Sequence, residues 1–389
     1  MDIFRELGEE IVTEWEASKW NSLALPSIAS KALGSLRLQS WSVSELIDML
    51  LSQAALPKQF NATRTHFGQP PVTVFSHPQF FIDLYFWANA DPTIHNHHFS
   101  GAFTVLHGTS LHTTYSFQSS LEHGPFIAAG QLRGESIELL KRGDVRPIMI
   151  GDALIHRLLH VDCPSISLVV RTTSSTGPYH QYYMPSLRAD SLHLAEVTLR
   201  RTELLEFLRR TQCDSYLPRL QLAVRDIPPE AVFQILSDHV KDTRDVRTAK
   251  EVLQSSSAFP QELLAAIVAA LEEVALRDYI MKKRSEGANN QVRFLWSALL
   301  GAHSRLAFLK IIADYFQTSE AARLAGQLLG EILAPDGESS AREVIAVLVE
   351  SGSLSKATQR LQDEFSCGPE VLELATRLAG SALLRTVMG

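Results

Sequence analysis

Three imidazoles fall within the four residues His95-Asn96-His97-His98, just ahead of the apolar run Ala102 to Leu106 that ends at Gly108. In an extended strand side chains alternate, so His95 and His97 project from one face and His98 from the other. Two neutral imidazoles on one face suit a divalent transition metal, whereas calcium and magnesium prefer oxygen. A third ligand must come from elsewhere, and His156, between Leu154 and Leu158, is the candidate, with His160 on the same face as its substitute. An imidazole buried there without a partner would carry an appreciable desolvation cost, which ligation removes.

The elements that must hold these residues divide into three stretches. Residues 66–188 read as an all-β domain, because the apolar residues are β-branched or aromatic and Gly and Pro punctuate short runs. Strands are predicted over 72–75, 80–86, 103–105, 111–117, 126–128, 137–139, 154–158 and 166–170. Residues 1–65 read as short helices. Phe4, Leu7, Ile11 and Trp15 recur at helical spacing, and Ser42 with Glu45 makes a capping box ahead of Leu46, Met49 and Leu50. Residues 189–389 turn to Leu, Ala, Glu and Arg with helical period. Helices are predicted over 194–210, 261–276, 292–300, 306–316, 321–333, 341–349, 354–365 and 369–384, as a bundle or an irregular stack of helix pairs. The Lys282-Lys283-Arg284 cluster reads as a solvated helix end.

The bulk numbers narrow the class. At 389 residues, 45% hydrophobic and 20% charged, the chain has a globular composition with room for two or three domains. A net charge of −7 argues against a general nucleic-acid binder. No apolar run approaches the roughly 20 residues that span a bilayer. The opening Met1-Asp2-Ile3-Phe4-Arg5-Glu6 does not read as a secretory signal. Cys163, Cys213 and Cys367 are far apart and odd in number, so they predict neither a disulfide framework nor a zinc site. A soluble, cytoplasmic setting is expected. The dinucleotide fingerprint, the phosphate-binding loop and the nucleophile elbow are absent from the sequence.

The spacing His95-x-His97, Gly101, Gly108 resembles the first motif of the cupin family, in which glutamate usually stands where Gly101 does. Gly143, Pro147, Gly151, His156 and His160 resemble the second motif, with histidine in place of the more usual asparagine at 160. With glycine replacing the carboxylate, residues 70–185 resemble the thiol dioxygenase (cysteine dioxygenase-like) branch. That resemblance implies an α+β multidomain chain: a cupin-like β-barrel (jelly roll) flanked by a short helical N-terminal segment and a large all-α C-terminal domain. It implies Fe(II) held by His95, His97 and His156, with the remaining positions open to substrate and O2. The Ser-x-His-x-Tyr segment of that branch is reduced here to Ser167 alone, in Ser167-Leu168-Val169-Val170-Arg171. The arginine that grips the substrate in that branch has no counterpart near Phe80-Phe81.

Replacement groups are therefore sought among Arg171, Arg157 and Arg133 for the cation and Tyr179, Tyr182 and Tyr183 for the phenol. Tyr179, Arg171 and His160 are assigned to catalysis; Phe99, Phe103, Tyr115, Arg133 and Arg157 are assigned to the substrate. His98 is expected to hydrogen-bond behind the ligands or lie at the surface. His107 is expected at a rim and His112, with Thr114 and Ser116, on a solvated face. His180 belongs to a turn-rich aromatic loop, 177–183, that could cover the barrel mouth. The expected function is a non-haem, O2-using oxygenase or oxidase acting on a small organosulfur or amino-acid-like substrate in a specialised biosynthetic step. The helical domain would mediate a homodimer or carrier-protein contact. The competing expectations are a metal-dependent ligand sensor or scaffold, and a non-redox lyase or isomerase using zinc, manganese or nickel.

Overall fold

The protein is described by a computed structural model at residues 1–36, 41–60, 70–88, 93–174, 179–190, 194–254, 259–287, 289–334, 339–363 and 367–388. It is an α+β chain. The N-terminal helices are α1 (Asp2–Ala17), α2 (Leu25–Ser35) and α3 (Val43–Leu51). The capping box forms at α3: the Glu45 amide donates to Ser42 Oγ at 3.2 Å and the Ser42 amide donates to Glu45 Oε2 at 2.6 Å.

Among the described residues eleven strands follow: β1 (Pro71–Ser76), β2 (Phe80–Trp87), β3 (Ile94–His97), β4 (Gly101–His107), β5 (Ser110–Glu122), β6 (Ile127–Leu140), β7 (Val145–Ile148), β8 (Gly151–His160), β9 (Ser165–Thr172), β10 (Gln181–Tyr183) and β11 (Leu187–Ala189). They form two antiparallel sheets. One is five-stranded, in the order β1-β2-β9-β4-β7, and the other closes on itself as a six-stranded barrel, β10-β11-β6-β5-β8-β3. The ring shuts where β10 returns to β3, with Gln181 opposite His95.

Alternation along each strand sorts the side chains into separate layers. Ile166, Leu168 and Val170 of β9 join Ile82 and Leu84 of β2 beneath the α1 stripe of Phe4, Leu7, Ile11 and Trp15. Between the two sheets lie Phe99, Phe103 and Val105 with Leu140, Ile148, Leu158 and Val169. On the opposite face of the six-stranded sheet, Ile94, Tyr115, Leu132, Ile155 and Tyr182 form a separate cluster. In the layer between the sheets Phe99 packs against His97 and Phe103 lies beside His156.

The C-terminal region comprises α4 (Glu196–Arg210), α5 (Tyr216–Ala223), α6 (Pro229–Thr243), α7 (Val246–Gln254), α8 (Gln261–Glu286), α9 (Asn290–Gly301), α10 (Arg305–Phe316), α11 (Ala321–Leu333), α12 (Ser339–Ser351), α13 (Leu354–Asp363), α14 (Pro369–Ala379) and α15 (Arg385–Met388). These helices share cores with the six-stranded sheet. Ile127, Ala129, Tyr183 and Leu187 pack with α4 to α8, and Leu111, Ile137, Leu159 and Val161 pack with the later helices. Among the described residues, no helix is long and apolar enough to cross a membrane.

Several elements differ from expectation. The strands predicted at 126–128 and 137–139 are one strand, β6, that runs through Gly130 and Gly134. Those glycines are not breaks: a Cβ at Gly130 would meet the Gln118 carbonyl at 2.3 Å, and one at Gly134 would meet the His303 ring at 2.3 Å. Helices α5, α6 and α7 were not expected; Pro228-Pro229 suggests a break, yet Pro229 opens α6 in the first-turn position where its missing N–H costs nothing. Helix α8 continues to Glu286 because its charged end is not solvated: Arg284 is buried and donates from Nε to Ser297 Oγ at 2.8 Å. The expected 65/66 domain boundary and positions 177 and 178 of the aromatic loop lie outside the described residues.

Candidate metal centre

Strands β3 and β8 run antiparallel with His95 directly opposite His156, and a register shift follows before His97. His97 Nε2 and His156 Nε2 face each other at 2.8 Å. One ligand atom from each of His95, His97 and His156 lies within 4.8 Å of the other two. All three are buried, at 6%, 9% and 4% exposure, against the cost of carrying positive charge away from water. Burial pushes His95 down to about 4, with the Arg157 charge adding to it and the Thr93 carbonyl opposing. His97 and His156 are held well below the ordinary range, first by burial and then by the neighbouring imidazoles.

Neutral imidazoles keep a lone pair for a cation. His95 Nδ1–H donates to the Thr93 carbonyl at 2.8 Å, which fixes its lone pair on Nε2. The donor set is thus three neutral nitrogens from two adjacent strands, the chemistry that a first-row transition metal takes. Among the described residues no second group of three such side chains gathers.

Four of the remaining predicted residues stand beside this cluster. The Phe99 ring lies 4.7 Å from His97, and Phe103 lies 6.3 Å from His156, centroid to centroid. Arg171 of β9 places its guanidinium 3.7 Å over Phe99 and 5.2 Å over Phe81. Tyr179 sits 6.1 Å from His95 and 5.9 Å from His98, and its hydroxyl accepts from Gln181 Nε2 at 3.3 Å. His98 is half-buried, as is His107 at the end of β4. His180 is buried just ahead of β10, its amide donating to Asn96 Oδ1 at 2.7 Å.

Four predicted residues are not at the site. Tyr115 lies on the opposite face of the six-stranded sheet, buried among Ile94, Ile155 and Tyr182. Arg157, next to His156 in sequence, points the other way by strand alternation; it donates to the Leu300 carbonyl at 3.3 Å and pairs with Glu273 at 3.6 Å. Arg133 is exposed on β6 and bonds to Gln131 at 2.6 Å. His160 shares the face of His156 but stands four residues along β8, about 13 Å further on. It is stacked on Trp87 at 4.3 Å with Ser110 Oγ 3.0 Å from Nδ1.

Sequence reasoning also misplaced His112. It is 3% exposed, not solvated, and its Nε2 lies 2.9 Å from His156 Nδ1. Its Nδ1 lies 2.9 Å from Glu138 Oε1, and Glu138 is gripped in turn by Arg146, whose Nε donates to the same oxygen at 2.8 Å. The usable signal was a histidine and an acid in consecutive strands of one hairpin. No protein-family model matches the chain, and no curated protein matches it.

Proposed function

We propose that the protein is a non-haem Fe(II)-dependent, O2-using oxygenase or oxidase built on a cupin-like jelly roll. The single observation that carries this reading is the buried triad His95, His97 and His156, neutral and convergent in the layer between two facing sheets. These three residues would hold the ion through imidazole nitrogens. Bound there, ferrous iron supplies the one-electron chemistry that dioxygen needs. Phe99, Phe103 and Val105 exclude water from that layer.

The substrate proposed is a small anion of organosulfur or amino-acid-like character. Arg171 supports that class: it lies over Phe99, the ring packed against His97, and its buried Nε has no hydrogen-bond partner among the described residues. An anionic group on the substrate would satisfy it, and Tyr179 offers a phenol on the other side, at His95. Burial raises the Tyr179 hydroxyl, so it stays a proton donor at neutral pH.

A second reading, a metal-held ligand sensor, is favoured by the back of the same sheet. There, the strand carrying His156 is fastened to helix α8 through Arg157 and Glu273, a direct mechanical link to the helical region. Metal analysis after anaerobic purification, followed by oxygen-electrode screening of small thiols and amino acids, separates these readings. Stoichiometric iron with substrate-dependent oxygen uptake supports the oxygenase. Binding without turnover supports the sensor, and turnover without O2 supports a lyase or isomerase.

A further inference from the structure

Four neighbouring strands of the six-stranded sheet carry one polar row across its width. His95 on β3 is directly opposite His156 on β8; His112 on β5 is diagonal to His156; and His112 is directly opposite Glu138 on β6. Arg146, from β7 of the other sheet, closes the row by donating to both oxygens of Glu138. The side chains touch in sequence, with 2.9 Å from His156 Nδ1 to His112 Nε2 and 2.9 Å from His112 Nδ1 to Glu138 Oε1.

The chemistry of the donors sets the direction of every proton in the row. An ionised carboxylate can only accept, and Arg146 with His112 holds Glu138 down to about 2. His112 must therefore carry its hydrogen on Nδ1. With that one ring hydrogen, His112 presents a lone pair at Nε2, which accepts from His156 Nδ1–H. That leaves the His156 lone pair on Nε2, the atom that faces His97 Nε2 at 2.8 Å. The row thus selects the one tautomer of His156 that can serve as a ligand toward the triad, without any group outside the fold.

We propose that His112 and Glu138 are positioning residues that orient His156 and carry the carboxylate's negative charge to the metal through two imidazoles. The proposal rests on the metal reading of the triad. Three neutral ligands would leave a divalent ion's whole charge between the sheets; a carboxylate relayed through imidazole offsets part of it and makes His156 a stronger donor. Hydrogen bonds of this kind behind a ligating histidine commonly change metal affinity by about 10- to 100-fold. Simple space-filling by His112 would not involve Glu138 at all, since that carboxylate reaches the triad only through the His112 ring.

The test uses the full chain and cobalt(II), read by chelator competition and by visible d–d absorption. Four proteins are compared: wild type, Glu138→Gln, His112→Phe and the double variant. Each single change is expected to weaken cobalt binding by about 10- to 100-fold and to shift the d–d bands. The double variant is expected to match His112→Phe alone, because without His112 the carboxylate has no route to the ion. Glu138→Asp is expected to recover part of the loss. Wild-type affinity and spectrum in Glu138→Gln would overturn the proposal, as would losses that simply multiply in the double variant. Should His112→Phe fail to fold by circular dichroism, Glu138→Gln, at a one-third-exposed position, decides alone. A wild-type chain that takes up no cobalt removes the metal reading itself, an outcome distinct from a loaded wild type with unaffected variants.

Discussion

The guanidinium of Arg171 lies 3.7 Å above the ring of Phe99, and that ring packs 4.7 Å from His97, so a cation from the five-stranded sheet is held one ring away from a candidate ligand. The aromatic faces of Phe99 and Phe81 orient the guanidinium without neutralising it. Arg171→Met is expected to leave metal stoichiometry unchanged and to raise KM for an anionic substrate by about 10- to 100-fold, the worth of a charge-assisted hydrogen bond of roughly 1.5–3 kcal/mol. Oxygen-electrode kinetics on the substrate found by screening check this; an unchanged KM would remove Arg171 from the substrate site.

Metal binding should also be visible as stability. A metal that binds only the folded chain stabilises it by about 2.7 kcal/mol at a hundredfold excess over Kd. Zinc or cobalt is therefore expected to raise the Tm of the wild type and to leave His97→Ala unmoved, since that change removes one of only three ligands. Differential scanning calorimetry with and without a chelator reads the difference. A His97→Ala protein that responds like the wild type would place the metal elsewhere.

The His95 and His97 pair was legible because its information is local. His95 and His97 are two apart, so any strand puts them on one face, and β3 does so. The α1 stripe and the α3 capping box were legible for the same reason. The polarity of β5 misled, because it changes along the strand. Its first four residues, Ser110 to Thr113, are buried on both faces, whereas Ser116 and Gln118 reach solvent. Reading His112 by analogy with Ser116 put it on a solvated face, and reading Tyr115 by its hydrophobicity put it in the site. Which of two buried faces looks at the other sheet is tertiary information, and register shifts after Thr114 and Ser119 add to the difficulty. Arg157 and Arg284 were misread in the same way, as surface or site cations, when each is buried against the helical region.

Buried neutral histidines give the metal-free fold an acid limit. Burial, with Arg284 adding, pushes His160 down to about 3 from an ordinary value of 6.5. Below pH 6.5 the unfolded chain takes up a proton at this position and the folded chain does not. The stability it contributes is therefore complete above 6.5 and drains away as pH falls toward 3. Between pH 7 and pH 5 the loss from this one group amounts to about 2 kcal/mol. His160→Gln, which can keep a hydrogen bond to Ser110, is expected to flatten the pH dependence of urea unfolding by that amount. An equal slope in the two proteins would mean that His160 is protonated in the fold.

Arg157 tests how firmly the helical region is attached. Its side chain is 2% exposed and pairs at 3.6 Å with Glu273, itself 15% exposed. Breaking a buried pair by removing one partner leaves an uncompensated charge and costs about 3–5 kcal/mol. Arg157→Met is expected to destabilise by that order, and the Arg157→Met/Glu273→Leu double variant by much less, because both charges are then gone. Urea midpoints of the two single variants and the double form the cycle. Additive losses would show that the pair is not coupled.

At Gly134 a helical connection packs directly against the barrel. An added Cβ would fall 2.3 Å from the ring of His303, which lies between α9 and α10, while its strand neighbour Tyr115 is opposite in β5. An imidazole ring cannot bend away as a flexible chain end does, so Gly134→Ala must displace either the ring or the strand. Overpacking of this kind costs about 1–3 kcal/mol, against a gain of about 0.5–1 kcal/mol when alanine replaces glycine in a strand without a clash. Gly134→Ala is therefore expected to be destabilising, and Gly134→Ala/His303→Ala to recover most of the loss. Equilibrium unfolding in urea decides: if removing the ring rescues nothing, the glycine is needed by the backbone of β6 and not by the docked helices.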